Sequence, residues 1–303
     1  MTATVPPPAA PPIAPAPPRS GTPTHRPARM SAKGRRTLGS VARFVTIGIV
    51  ALLFLFPIFW MILASLKNNI DIVDPSRTFD FVPTFENFIN VFTVADFGRF
   101  TFNSFVIAFA ATAISLVLGL PAAYAIARYT VRSATAFILL ARVIPGVSLL
   151  IPWYYLFAQV GIVGTFQVMI LSHIFVSLPI IVAIMASFFE GMSIELEEAA
   201  QIDGLSLLGA FLRITLPLSV PGIATASILS FIFSWNNFLF ALVLSGNDTK
   251  TLPVAIFNFI AYASVDWGGL MAASVVITVP VMLVALFVQR YIVSGLTAGA
   301  TKG

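Results

Sequence analysis

The sequence predicts an all-α integral membrane protein of six transmembrane helices with both termini in the cytoplasm. Three observations carry that expectation. The chain is 58% hydrophobic and only 10% charged, against roughly 25% charged for a soluble domain. Six apolar runs, approximately 44–66, 100–127, 134–158, 166–189, 219–244 and 269–290, come near or exceed the ~20 residues that cross a hydrocarbon core. Lysine and arginine are distributed unequally between the two sides those runs define. Arg19, Arg26, Arg29, Lys33, Arg35, Arg36, Arg43, Arg128, Arg132, Arg213, Arg290 and Lys302 fall on the N-terminal side. Lys67, Arg77, Arg99 and Lys250 fall on the other, with Arg142 inside the third run. Basic residues concentrate on the cytoplasmic face, which orients the whole chain.

Residues 1–42 form a Pro/Ala-rich basic tail, with ten prolines among the first thirty positions. Such a segment has no apolar face to bury and is expected to be disordered. The run at 44–66 is too long for a signal-peptide core, and Ser65-Leu66-Lys67 is a poor cleavage site, so it reads as a retained first helix. The transmembrane domain then extends over 43–290, followed by a small cytoplasmic tail, 291–303. Pro57, Pro121, Pro145, Pro152, Pro179 and Pro280 lie within the runs, where neighbouring helices or water re-satisfy the freed carbonyls. The segments on the outer side are 68–98, a short link near 159–165, and 245–268. Trp60, Trp153, Tyr154, Tyr155 and Trp267 fall near segment ends, as interfacial anchors do.

Several function classes drop out at this stage. No cysteine is present, so disulfides, Cys-ligated zinc and a Cys nucleophile are excluded. Only His25 and His173 could supply imidazole, and no metal site is expected. The formal charge of +5 resides largely in the tail and reads as cytoplasmic retention, with no nucleic acid as partner. No G-x-x-x-x-G-K-[ST] occurs, so the chain does not hydrolyse ATP itself.

Between the fourth and fifth runs lies a polar island, 190–219, long among otherwise short inner loops. Ser193 is a candidate N-cap, with Glu195, Glu197 and Glu198 in the first turns, where the helix dipole favours acids. Ala199 and Ala200 remove bulk, so another protein's surface could approach the backbone closely. Gly204 permits a left-handed turn ending this helix. A second helix, 205–213, would carry Leu205, Leu208 and Leu212 on one stripe, with Ile214 beyond it and Leu216-Pro217 stopping it. The product is a helix–turn–helix bracket tied at both ends to membrane helices.

The spacing Glu198-Ala199-Ala200, three residues, Gly204, nine residues, then Ile214-x-Leu216-Pro217 resembles the cytoplasmic signature of permease subunits in binding-protein-dependent ABC importers. Further motifs resemble the sugar-importing, maltose-type branch, in its smaller six-helix subunit. These are Asn103-Ser104, the run from Ala122 to Arg128, Arg142-Val143-Ile144-Pro145, Ser234-Trp235-Asn236-Asn237-Phe238, Thr251-Leu252-Pro253 and the ending from Gln289 to Gly299. The likeness covers roughly 44–303 and leaves out the Pro-rich tail.

What the resemblance implies is an assembly in the plasma (inner) membrane, with a type I ABC importer permease architecture. A second, homologous permease subunit and two ATPase subunits would be partners, with an extracellular or lipid-anchored sugar-binding protein outside and lipid around. This chain would bind no cofactor; ATP and Mg would belong to the partner ATPase. Glu198, Ala199, Ala200, Gly204, Leu205, Leu208, Ile214, Leu216 and Pro217 would couple to the ATPase, with Glu198 projecting to a basic or backbone donor. The loop holding Thr251, Leu252 and Pro253 would face the binding protein. On residue chemistry, Asn236 and Asn237 beside Trp235 are candidates for the substrate path, because two amides are costly in lipid and must face protein or water. Helix packing remains the alternative reading of that trio. The competing function is a stand-alone secondary transporter or channel for a small polar solute. Such proteins place ionisable groups at mid-membrane, whereas all twelve acids here lie outside the six runs. A membrane enzyme would need a nucleophile–base pair or metal ligands, and neither constellation is present.

Overall fold

A computed structural model describes residues 32–129, 145–260 and 264–300. These are helical or irregular, with one isolated antiparallel bridge between Ile260 and Val265. The chain divides into two compact units, residues 1–55 and 56–303. Helix α1, Ala32–Ser65, runs through the division, and its stretch Arg43–Ser65 is long and apolar enough to span a membrane. It begins inside the tail expected to be disordered over 1–42. No proline intervenes between Pro27 and Pro57, so helical turns extend back from the apolar run without a breaker. Residues 1–31 lie outside the described part.

The second unit holds the rest. After α1 come α2, Asn69–Val73, and α3, Glu86–Thr93. The buried Lys67 ammonium donates to the carbonyls of Arg77 (3.1 Å) and Thr78 (2.6 Å), drawing this loop into a cap over its own helix end. Helix α4, Phe97–Tyr129, follows, then α5, Gly146–Val160, and α6, Phe166–Glu190. Pro145 starts α5 and Gly161, at φ +74°, ends it. Thr165 caps α6, its hydroxyl accepting from Val168 N–H. The bracket consists of α7, Glu195–Ile202, and α8, Leu207–Leu218. Beyond it lie α9, Val220–Trp235, α10, Leu239–Leu244, α11, Leu252–Ala255, and α12, Trp267–Ala300.

At the centre, α4 and α6 pack directly on each other in parallel, with α9 antiparallel against both. Tyr124 stacks edge-on against Phe189, and a Cβ on Gly119 would sit 2.9 Å from Ile181, which fixes the parallel register. Gly222 abuts Phe188, Thr112 and Ser230 share a hydrogen bond (3.3 Å), and so do His173 and Ser234 (2.7 Å). Small residues let these backbones approach closely, and buried hydroxyls join the helices. Trp235 donates its indole N–H to Ile277 O (3.1 Å), tying α12 to α9.

Among the described residues, four helices are individually long and apolar enough to span: Arg43–Ser65 of α1, α4, α6 and Trp267–Leu286 of α12. The pair α8 and α9 passes as a fifth only if its 76° bend is counted within one span. Of the six expected segments, 219–244 is divided into two helices, with a break after Trp235. Asn237 Oδ1 accepts Phe240 N–H (3.2 Å), a backbone donor that a continuous helix would pair with Asn236 O, while Asn236 Nδ2 adds a second donor (2.9 Å) to Ile232 O, which already accepts the Asn236 N–H (3.1 Å). Of the expected third segment, 134–158, only the part from residue 145 is described, and α5 has 15 residues. Arg132, Arg142, Val143 and Ile144 lie outside the described residues, as does Lys302. Helix α12 continues to Ala300, where a separate tail was expected from 291.

Candidate functional site

The bracket is anchored at its base and open on its outer face. The N-cap position expected at Ser193 falls to Ile194, and Ser193, one residue ahead, accepts the N–H of Glu195 through Oγ (3.2 Å). Gly204 adopts φ +94°, in the left-handed region only glycine occupies freely, and returns the chain after Ile202. The amides of Asp203, Gly204 and Leu205 close this end on Ala199, Gln201 and Ala200 carbonyls, each at 3.0 Å. Ser206 caps α8 through Gly209 N–H (3.1 Å).

Pro217 does not stop the second bracket helix, contrary to expectation. Helical turns continue to Leu218, and the direction changes at Ser219. A π-helical segment, Phe211–Thr215, precedes the proline, and its wider turns suit a position that cannot donate a backbone hydrogen bond. Ser219 N–H and Oγ both return to Thr215 O, at 3.0 and 2.6 Å, sealing the corner.

The expected coupling residues divide by face. Glu198, Ala199, Gly204, Leu208 and Pro217 are exposed, Leu205, Ile214 and Leu216 are half-buried, and Ala200 is buried. Among the described residues Glu198 has no ion-pair partner. Around it the bracket also exposes Ile194, Leu196, Ile202, Leu207 and Leu212, with Ile202 at 87%.

Glu197, next to Glu198, is the residue that sequence reasoning missed. It is only 3% exposed. Arg128 Nη2 donates to its Oε1 at 2.6 Å and Nε at 3.1 Å, while Tyr124 Oη donates to Oε2 at 2.5 Å. A further guanidinium N–H, on Nη1, reaches Phe189 O at 2.9 Å. Burial alone would push the carboxyl up, but the hydrogen bonds from Arg128 and Tyr124 outweigh it and hold the pKa below the usual value of 4.5. Removing one partner of a buried pair costs about 3–5 kcal/mol, because the survivor stays charged and dry. An exposed pair such as Arg99 with Asp96 is worth about 0–1 kcal/mol. The signal available in the sequence was Tyr124 and Arg128 four residues apart, hence on one helix face, where the second apolar run ends.

At the opposite end, the expected outer-loop residues are packed inward. Thr251 and Leu252 are buried and Pro253 is half-buried. Ser104 Oγ accepts Leu252 N–H (2.9 Å), and Asn103 Nδ2 donates to the carbonyls of Asp248 (2.9 Å) and Lys250 (3.0 Å). The motifs Asn103-Ser104 and Thr251-Leu252-Pro253 are thus two halves of one clamp. Arg99 pairs with Asp248 beside it. Among the described residues, this loop exposes Asn247, Asp248, Phe257, Asn258, Ile260, Ser264 and Trp267.

Of the expected path residues, Trp235 is 3% exposed and committed to α12. Asn236 is exposed and Asn237 half-buried. Both amides line an open cleft of about 510 Å³ with Phe175, Phe233, Phe238 and Phe240. Among the described residues no group of His, Cys, Asp and Glu could hold a metal ion.

Comparison with known proteins gives the family and the fold. Residues 115–298 match the family described as binding-protein-dependent transport system inner membrane component. The trehalose transport system permease protein SugB of Mycobacterium tuberculosis is 36% identical, over 82% of this chain and 93% of its own. The sulfoquinovosyl glycerol transport system permease protein SmoH of Agrobacterium fabrum is 35% identical, over 88% and 95%. A chain of a bacterial ABC transporter that imports the acidic polysaccharide alginate has the same fold, with a TM-score of 0.70 over 87% of this chain and 99% of that one, at 22% identity. The matched stretch takes in the second part of α4, α6, the whole bracket and α9, and on that basis the chain belongs to the family of binding-protein-dependent transport system inner membrane components.

Proposed function

We propose that this chain is a transmembrane permease subunit of an ATP-driven sugar importer. The observation that carries this reading is the alignment, along most of both chains, with relatives named as permeases for sugars or sugar conjugates. A second, homologous permease completes the translocation path, two ATPase subunits bind ATP and Mg on the cytoplasmic side, and a sugar-binding protein delivers solute from outside. The bracket lies on the cytoplasmic face, as do both termini; the excess of Lys and Arg on that side of the sequence supports this orientation.

The exposed face of α7 and α8 is the ATPase contact. Glu198, an acid without an ion-pair partner among the described residues, stands there among aliphatic side chains, a combination that supports a protein interface over a solvated loop. Closure of the ATP-loaded dimer displaces the bracket and switches the helices between inward- and outward-facing states. Asn236 and Asn237 serve the path, where amides and phenylalanine rings suit a hydroxyl-rich solute with an apolar face. Trp235 supports them by fixing the helix from which they project. The clamp formed by Asn103, Ser104, Thr251, Leu252 and Pro253 presents the rest of its loop to the binding protein.

Gentle purification from the native membrane tests the reading. A P-loop ATPase and a second permease should co-purify, and the reconstituted complex should take up the sugar found on its binding protein only with ATP. Uptake by the lone chain, without ATP, would refute the importer and favour the stand-alone transporter.

A further inference from the structure

Chain connectivity gives the bracket a covalent hold on two of the three central helices. Helix α6 enters it through Gly191–Ser193, and α9 leaves it at Ser219. Helix α4 precedes both, and among the described residues it meets the bracket through side chains near its end. Tyr124 contributes a hydrogen bond and a ring set against Phe189 and Phe211, at centroid distances of 5.9 and 4.7 Å. Arg128 contributes the two-pronged pairing with Glu197 and the bond to Phe189 O.

We propose that Arg128 and Tyr124 are positioning residues for energy coupling, gripping Glu197 so that α4 and the bracket move as one body. The inference rests on the importer reading and adds a part to it. A planar guanidinium with two N–H groups on a carboxylate resists rotation as well as separation, where a single contact would pivot. Its third bond, to the last turn of α6, joins α4, α6 and α7 at one point. Tyr124 holds the second carboxylate oxygen, so Glu197 cannot turn within the site. Glu197 and Glu198 are adjacent on one helix and point about 100° apart. One side of α7 is therefore committed to the bundle while the neighbouring side is open to a partner. Force arriving at the open side crosses one helix and reaches α4 through the buried acid.

The chain has no cysteine, so two introduced thiols are the only nitroxide sites on it. Both Glu195, on α7, and Val117, on α4, are exposed and outside the grip. The experiment measures the distance between labels at E195C and V117C by pulsed electron resonance. It uses the full complex in nanodiscs, before and after trapping with ATP and vanadate. With Arg128 and Tyr124 intact, the distance should stay constant on trapping, although a pair from E195C to the ATPase responds. In Arg128→Met the ATPase should remain bound, and the 195–117 distance should shift beyond the spread of the untrapped distribution. A purely structural role would lower the variant's thermal stability and leave that distance indifferent to trapping, which overturns the proposal. So does a distance that already changes with the grip intact. If Arg128→Met fails to assemble, Tyr124→Phe decides by the same two readings, since it keeps the ring and loses one hydroxyl. Should trapping move no label pair in the unaltered complex, the importer reading itself falls and takes the grip with it.

Discussion

Two glycines with open space around them separate backbone strain from crowding. A Cβ built on Gly204 meets nothing within 4 Å, and the same holds for Gly98 in the first turns of α4. Sterics against neighbours therefore predict that alanine is harmless at both. Backbone geometry predicts opposite signs. Gly204 has φ +94°, whereas Gly98 is not among the positive-φ positions. Alanine at 98 fits the helix and narrows the unfolded ensemble, a gain of about 0.4–1 kcal/mol. Alanine at 204 sets its Cβ against its own backbone, a cost of roughly 1–2 kcal/mol. That corresponds to a factor of about 5–30 in local opening.

Amide hydrogen exchange in nanodiscs reads this directly. In Gly204→Ala the amides of Asp203, Gly204 and Leu205, which close the end of α7, should exchange about 5–30-fold faster. The central part of α4 should be unaffected. Asn, which tolerates left-handed backbone, should fall between Gly and Ala at 204. Gly204→Val, β-branched and stiffer, should abolish uptake while the chain stays in the membrane. Protection within twofold of the unaltered chain in Gly204→Ala would show that the turn does not depend on its left-handed residue.

Glu198→Lys should abolish ATP-dependent uptake with little change in the thermal stability of the permease, since the side chain is exposed and without an internal ion pair; normal uptake would count against the proposed ATPase contact. Glu197 behaves oppositely in a pH titration. Its folded pKa is depressed below 4.5, so its stabilisation is fully present above that value and is lost as pH falls through the lower, folded value. Thermal unfolding scanned from pH 7 to pH 3 should show this contribution vanishing only below about 4.5, and Glu197→Gln should remove that part of the acid dependence. A Glu197-dependent loss beginning near pH 6 would mean the carboxyl is not held by Arg128 and Tyr124. At the clamp, Ser104→Ala leaves the Leu252 N–H buried without an acceptor, at a cost of about 1–3 kcal/mol. Its melting temperature in detergent should drop, and Ser104→Thr should restore it.

Hydropathy missed the interruption within 219–244 for a definite reason. A window of about twenty residues averages two polar side chains away, so 219–244 reads as one segment although the helix ends at Trp235. The evidence for the break was chemical: adjacent asparagines, whose amides compete for backbone groups, followed by an apolar stretch long enough to restart a helix. The clamp was half legible. Asn103-Ser104 and Thr251-Leu252-Pro253 stood out as motifs, but sequence separation of nearly 150 residues hid that each completes the other's hydrogen bonds. A loop motif read alone suggests an outward target; only the fold shows Leu252 spent on Ser104.

The bracket inverts the usual reading of an amphipathic helix. Periodicity ordinarily sends leucine and isoleucine inward and acids out, yet α7 buries Glu197 and exposes Leu196 and Ile202. A solvated surface helix gains nothing from that arrangement: it desolvates a charge and leaves aliphatic surface in water. Both costs are offset if the inward acid has dedicated donors and the outward aliphatics have a partner. Tyr124 and Arg128 satisfy the first condition within this chain. The second requires another protein seated over Ile194, Leu196, Ile202 and Leu208, with Glu198 among them. The inversion supports the proposed ATPase contact over a solvated loop on physical grounds independent of any signature. It also explains why a sequence reading that followed the outward acid overlooked the buried one a residue away.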